Sequence, residues 1–354
     1  VPVLDSLGMF GLTAGLPEQV ETAAKQARQI IDGLGAGAGE LPDPAGVEVV
    51  VIMGMGGSGM AGEVLAAVAA PMLPVPVVVV KSYECPAFVG PRSLVFAVSA
   101  SGDTEETIQA ASDAAEAGAP LVVVTGGGQM AALGAQWSAP LFPVPPDIPQ
   151  PRAALGATAI PPLVVLDEMG LYRGGQYWID AAVSQMKRRR DELEIGGDAS
   201  AAAGVAHRIG RTMPLIHGGG AIGAAAAQRW KTQINENAKA PAWWSAQPEL
   251  CHNEVCGWGQ HGDVTRQVIT AVALRHDGEH PQVGRRFELV SELLREVVAE
   301  VIEVRAEGEG DLAQLMDLVL FGDYVSLWCA AEAGIDPGPV PALTELKDRL
   351  AGKS

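Results

Sequence analysis

Residues 94–107 read Leu-Val-Phe-Ala-Val-Ser-Ala-Ser-Gly-Asp-Thr-Glu-Glu-Thr. The run Leu94 to Val98 has the composition of a buried parallel strand, and the alanine-rich stretch Thr104 to Ala117 behind it has that of a helix. A strand that passes through Ser99, Ser101 and Thr104 into a helix makes an anion cradle. The hydroxyls and the unpaired N–H groups of the first helical turn then face one point. Working outward, Val49 to Met53 is a second apolar run, and Gly54-Met55-Gly56-Gly57-Ser58-Gly59 follows it into a helix beginning near Met60. Two such turns together point to a phosphorylated small molecule as ligand.

The same grammar extends along the chain. Further strand signals lie at Val75 to Val80, Pro120 to Thr125 and Pro140 to Val144, with helical stretches between them and an amphipathic helix at Leu16 to Leu34. Pro143 to Pro151 holds five prolines and no helix or strand period, so it reads as the exit from the first sheet. Helical stretches follow near Ala153 to Gly170 and Tyr177 to Leu193. Then Met213 to His217, a glycine cluster at Gly218 to Gly220 and a helix from about Ala221 to Lys239 open a second α/β unit. Strands are predicted at Gln267 to Leu274 and Val298 to Val304, and helices at Val283 to Glu296, Asp311 to Ala333 and Leu343 to Ala351. The expected fold is α/β with two doubly wound domains, each a parallel sheet flanked by helices, divided as 1–150 and 151–354.

Composition narrows the function classes. The 354 residues are 48% apolar and 19% charged, which excludes a disordered chain. A net charge of −18 weighs against a nucleic-acid partner, since Lys187 to Arg190 is the only basic run and reads as a helix flank. An acidic protein that binds an anion must make its positive potential locally. Cys85, Cys251, Cys256 and Cys329 form no CxxC pair, which suits a reducing compartment, and no zinc spacing joins Cys251, His252 and Cys256. The first residues lack the order of a signal peptide. Leu312 to Ala331 is apolar but holds Asp317 and Asp323, so it is expected to be a buried helix rather than a membrane span. A cytoplasmic location follows as the expectation.

Gly54, Gly56 and Gly59 also satisfy the G-x-G-x-x-G of dinucleotide sites. Such a site needs an acid at the end of the second strand for the ribose hydroxyls, and Val77 to Val80 runs instead into Lys81-Ser82. A monophosphate suits the hydroxyl-lined turns better.

Candidate chemistry lies in Asn235-Glu236-Asn237-Ala238-Lys239 and His252-Asn253-Glu254, with Trp243-Trp244-Ser245 between them. A carboxylate and an imidazole are the usual pair for moving protons at neutral pH. From composition alone the two residues read first as a solvated helix-end acid and an ordinary loop histidine, since isolated acids and histidines are common. Trp243 and Trp244 fit either stacking on a ligand or covering an interface. His217 reads as a satisfied histidine at a strand end.

Taken in order, Gly56 to Gly59, Ser99 to Thr107, Asn235 to Lys239 and His252 to Glu254 resemble the bifunctional phosphoglucose/phosphomannose isomerase family, built from two sugar-isomerase (SIS) domains. The likeness spans nearly the whole chain and includes Pro151-Arg152 and Leu346-Lys347. It implies an aldose–ketose isomerase acting on glucose-6-phosphate and fructose-6-phosphate, working as a homodimer with the active site at the subunit boundary. It also implies phosphate ligands at Ser58, Ser99, Ser101 and Thr104, with Gly57 among the substrate-binding residues, and a base at Glu236 that moves a proton between C2 and C1 through a cis-enediolate. His252, supplied by the neighbouring subunit, would assist ring opening. Arg152 would stabilise the enediolate, and Lys347 would contact the sugar. No metal or cofactor is implied. The alternative is a non-catalytic SIS-type regulator that binds a sugar phosphate, which needs the cradle but not Glu236, His252 and Arg152.

Two residues depart from the family pattern. Asp103 stands where the cradle usually has asparagine, and it is expected to turn away from the phosphate and cap the helix that follows. Val340 stands before Pro341 where relatives can carry a hydroxyl, which leaves activity on mannose-6-phosphate open.

Overall fold

The computed structural model describes residues 3–35, 39–350 and 352. Helices α1 (Met9–Ala14) and α2 (Leu16–Asp32) come first. They are followed by β1 (Val49–Met53), α3 (Gly56–Val68), β2 (Val77–Val80), β3 (Ser93–Ser99), α4 (Glu105–Glu116), β4 (Leu121–Thr125), α5 (Gly128–Gln136), β5 (Leu141–Pro143) and α6 (Leu155–Glu168). The first sheet has the order β2-β1-β3-β4-β5, all parallel, with Val50 opposite Val77 on one side and Leu94 on the other. Helices cover both faces, so β3 and β4 are buried throughout and read as continuous apolar runs rather than alternating ones. The order reverses between β1 and β3. Ligands of open parallel sheets sit at the carboxyl ends of the strands at that reversal, and here the turns after β1 and β3 flank it.

Helix α7 (Gly175–Gly196) leads into α8 (Ala201–Ile209), β6 (Met213–Gly219), α9 (Gly220–Gln233), β7 (Trp243–Gln247), α10 (Gly262–Val268), β8 (Ile269–Arg275), α11 (Pro281–Leu294), β9 (Glu300–Arg305), α12 (Asp311–Ala333) and α13 (Pro341–Leu350). The second sheet is also parallel, in the order β7-β6-β8-β9. Two doubly wound α/β sheets are therefore present, as the alternating pattern requires.

The compact units are Gly15–Arg188 with Glu307–Asp317, and residues up to Ala14 with Arg189–Ala306 and those from Leu318 onward. This division does not coincide with the expected one at residue 150. Helix α6 packs on α2, where the Gln19 amide donates to the Ala153 carbonyl (2.9 Å) and accepts from the Ala157 N–H (3.1 Å). Residues 155–168 therefore belong with the first sheet, and the chain leaves that unit within a long helix rather than at the prolines.

Three local differences bear on the site. Residues 243–247, which carry the paired tryptophans, form edge strand β7 with Trp243 and Trp244 exposed. The helix predicted through Lys239 ends at Gln233, and Ile234–Ala238 widens into a π turn. Residues 310–333 are long and apolar enough to cross a membrane, yet 89% of their most apolar window is buried within the protein. Inside that segment, Asp317 accepts from Gln185 Nε2 (2.8 Å) and Asp323 pairs with Arg229, which makes α12 a core helix.

Candidate active site

In the first unit, the turns after β1 and β3 meet through one hydroxyl. Ser58 Oγ, buried at the start of α3, accepts from the Ala100 N–H at 3.0 Å. Ser99, also buried, closes the second turn on itself, accepting from Gly102 N–H (3.1 Å) and donating to Thr104 Oγ1 (3.0 Å). Ser58 and Ser99 thus shape the cradle from inside. Ser101 is exposed and Thr104 half-buried, 3.4 Å apart, and these present hydroxyls outward. Neither α3 nor α4 has a side-chain cap, so both helices hold free N–H groups at this end.

Glycines set how closely the pieces approach. Gly102 has φ +79°, and a Cβ there would fall 1.9 Å from the Gly127 carbonyl oxygen. A Cβ on Gly57 would lie 2.9 Å from the backbone N and Cα of Arg152. Gly57 therefore matters through contact with Arg152. Arg152 itself is 1% exposed, and its Nη1 donates to Gln150 Oε1 at 3.0 Å. The proline segment also has a role that its composition does not disclose: with Ser101, the residues Val144, Pro145, Ile148 and Pro151 wall a cleft of about 280 Å³.

Asp103 caps a helix, but not the one expected. Its Oδ1 accepts from the Gln129 N–H at 2.9 Å, so it caps α5 and not α4. The carboxylate is turned away from Thr104 by pairing across the next loop. At the end of β2, Lys81 is held by an ion pair with Glu63, so a base-bearing side chain stands where a dinucleotide site needs an acid.

The second unit carries Glu236, His252 and Lys347. Glu236 is half-buried on the π turn, a distortion that occurs frequently at functional sites. The turn is braced on three sides. Lys239, in the left-handed region at φ +54°, donates from Nζ to the carbonyls of Glu236 (2.7 Å), Asp336 (3.0 Å) and Pro337 (3.0 Å). Asn237 Nδ2 donates to Ser326 Oγ at 2.9 Å. One turn earlier, Arg229 grips Asp323 through Nε (3.0 Å) and Nη2 (2.7 Å), and Trp230 Nε1 donates to the Leu318 carbonyl (2.8 Å). Lys239 stood in the motif without a role, because its partners at 336–337 are close only in the folded chain.

His252 ends a short 3₁₀ turn and is exposed. The turn that follows, Glu254–Gly257, is anchored by Glu254, whose Oε1 meets His217 Nε2 on β6 at 2.9 Å and whose Oε2 accepts from Ser245 on β7. His217 is the satisfied strand-end histidine expected, and Glu254 is the positioning residue that satisfies it. Burial pushes the Glu254 carboxyl up, but the hydrogen bond and charge of His217, with Ser245, outweigh it and hold it below the usual carboxylate range. Such a group stabilises the fold above its unfolded pKa and loses that contribution as pH falls through the folded value. Glu254→Gln is expected to lower Tm at pH 7 by about 3–6 °C, for a loss of about 1–2 kcal/mol. The gap to the parent should close as the pH drops below the ordinary carboxylate range. A thermal series from pH 7 to about 3 checks this, and a gap independent of pH would remove the carboxylate from the account.

Lys347 lies on α13, which is exposed along its whole length. The structure thus gathers Gly57, Ser58, Ser99, Ser101, Thr104 and Arg152 into one place in the first unit. Glu236, His252 and Lys347 stand on three separate elements of the second.

Residues 198–350 match the model of the bacterial phospho-glucose isomerase C-terminal SIS domain, and residues 47–132 that of the SIS domain. A bifunctional phosphoglucose/phosphomannose isomerase of Caldicellulosiruptor bescii is 32% identical over 97% of this chain and 99% of its own length. One from Aquifex aeolicus is 30% identical, covering 85% of this chain and 90% of its own. Among solved structures, tagatose-6-phosphate ketose/aldose isomerase from Escherichia coli shares the fold, with a TM-score of 0.67 over 96% of this chain and 98% of that one at 13% identity. By its full-length likeness to these isomerases, the chain belongs to the bifunctional phosphoglucose/phosphomannose isomerase family.

Proposed function

We propose that this protein interconverts glucose-6-phosphate and fructose-6-phosphate by proton transfer through a cis-enediolate. The observation that carries this reading is that a half-buried carboxylate sits on a braced π turn in a chain that also builds a hydroxyl-lined pair of helix N-termini. The phosphate takes the N–H groups of α3 and α4 and the hydroxyls of Ser101 and Thr104, which orients the far end of the sugar. Glu236 accepts the proton from C2 of the open-chain aldose and, as the carboxylic acid, returns it to C1, while the hydroxyl proton passes between O2 and O1. Arg152, permanently charged and buried, stabilises the enediolate oxygens.

His252 and Lys347 are assigned to a site shared with a second copy of the chain, His252 assisting ring opening. Their exposure supports this, as does the apolar surface left by Trp243 and Trp244 on β7 and by Leu343, Leu346 and Leu350 on α13. Mannose-6-phosphate is the second substrate to assay, with Val340 at the start of α13 as the residue to vary.

The test is isotope exchange. Incubated with fructose-6-phosphate in heavy water, the protein should yield glucose-6-phosphate deuterated at C2, read by proton NMR. Binding without product or exchange would replace the isomerase with a sugar-phosphate regulator.

A further inference from the structure

The two sheets build the same turn twice. Strand order β2-β1-β3-β4 repeats as β7-β6-β8-β9, and the glycines 54, 56 and 59 after β1 recur in spacing as 218, 220 and 223 at the end of β6. In each turn the middle glycine opens the helix at positive φ, +51° at Gly56 and +60° at Gly220. The outer two close on each other: a Cβ on Gly59 would lie 2.8 Å from the Gly54 oxygen, and one on Gly223 would lie 2.9 Å from the Gly218 carbonyl carbon. The next loop matches in length. It runs from Ser99 to Glu105 in one sheet and from Arg275 to Pro281 in the other, with Gly102 and Gly278 in the same place.

The backbone is repeated but the hydroxyls are not. Ser58, Ser99, Ser101 and Thr104 correspond to Ile222, Arg275, Asp277 and His280, and Asp103 corresponds to Glu279. Where Asp103 turns outward to α5, Glu279 turns inward, its side chain 6% exposed. Glu279 Oε1 accepts from the His276 N–H (3.0 Å) and from Arg275 Nε (2.9 Å), and Oε2 meets Arg275 Nη2 at 2.8 Å. The His276 amide corresponds to that of Ala100, which in the first cradle bonds Ser58. Oε1 also lies 3.4 Å from where a Cβ on Gly219 would stand, beside the start of α9. Arg275 is held independently, stacked 4.5 Å over Phe287 and bonded to Glu303 Oε2 at 3.1 Å.

We infer that the second domain is an anion site whose resident anion is the chain's own Glu279 carboxylate, so that each chain takes one phosphorylated ligand, in the first cradle, and not two. A carboxylate held by a guanidinium and a loop amide occupies what a phosphate would need there. The identity of the external ligand rests on the sugar-phosphate reading above; the internal one does not.

Inorganic phosphate is the probe, counted by equilibrium dialysis with the full chain. The parent protein should bind one phosphate per chain. Glu279→Ala, with Tm lowered by about 5–10 °C, should bind two, and about 20 mM phosphate should raise its Tm by about 3 °C more than it raises that of the parent. Two phosphates on the parent, or a variant gaining neither a second phosphate nor extra protection, overturns the inference. Should Glu279→Ala not fold, Glu279→Ser carries the same readout, and the parent count decides without any variant. Failure of the sugar-phosphate reading looks different: the parent then binds none, while the variant still gains one.

Discussion

Glu236→Gln is expected to lower kcat for fructose-6-phosphate by about 10³–10⁴-fold while leaving its Kd within about threefold of the parent value. The amide keeps the volume of the carboxylate but cannot accept the C2 proton. The π turn should survive, because the bonds from Lys239 go to main-chain oxygens and Asn237 is tied to Ser326. Stopped assays with NMR detection give kcat, calorimetry gives Kd, and an unchanged Tm shows that only the proton step was removed. Ordinary turnover in this variant would mean that another group is the base. Mixing it with an inactive His252→Gln variant extends the test to the shared site. If His252 serves a second copy, random hybrids should recover about a quarter of the parent activity.

Arg152→Lys is expected to cost about 10²–10³ in kcat, equivalent to about 2.7–4 kcal/mol of transition-state stabilisation, with a much smaller change in KM. Charge is retained, so a pure charge requirement would spare the variant. The guanidinium, however, is buried, bonded to Gln150 and backed by Gly57, and a lysine ammonium reproduces neither its planar fork nor its reach. A fall in kcat at unchanged Tm supports a role in the chemistry. An equal rise in KM with kcat intact would make Arg152 a ground-state binding residue instead.

Much of the fold could be read from the chain because its signals are local. Buried parallel strands such as Leu94 to Val98 and Leu121 to Thr125 must be apolar on both faces, and Gly33 ends α2 as a helix stop should. Strand β7 was hidden because it is an edge: one side pairs with β6, while Trp243 and Trp244 stay exposed, so no apolar run marks it. The unit boundary was misleading for a related reason. Proline content marks where regular structure stops, whereas membership of a unit depends on which face of α6 finds α2.

At the site, residue types were legible and their partners were not. Ser99, Ser101 and Thr104 stand in a pattern whose anion-binding chemistry follows from functional groups and spacing along one turn, whereas Glu236 is marked only by the resemblance that Asn235 to Lys239 carries. The recurrence of Gly218, Gly220 and Gly223 was equally present in the sequence, though Ile222 and Arg275 in place of hydroxyls disguised it. The direction in which a charged side chain points depends on what the fold brings within about 3 Å of it. Asp103 found the Gln129 amide, Glu279 found Arg275 and His276, Glu254 found His217, and Lys239 found the carbonyls of 336 and 337. Helix and strand periods, turn glycines and hydroxyl clusters are properties of neighbouring residues, and these were readable before any folding. Hydrogen bonds and ion pairs between residues far apart in the chain form only after packing has chosen which donors and acceptors meet, and there the tertiary structure alone decided.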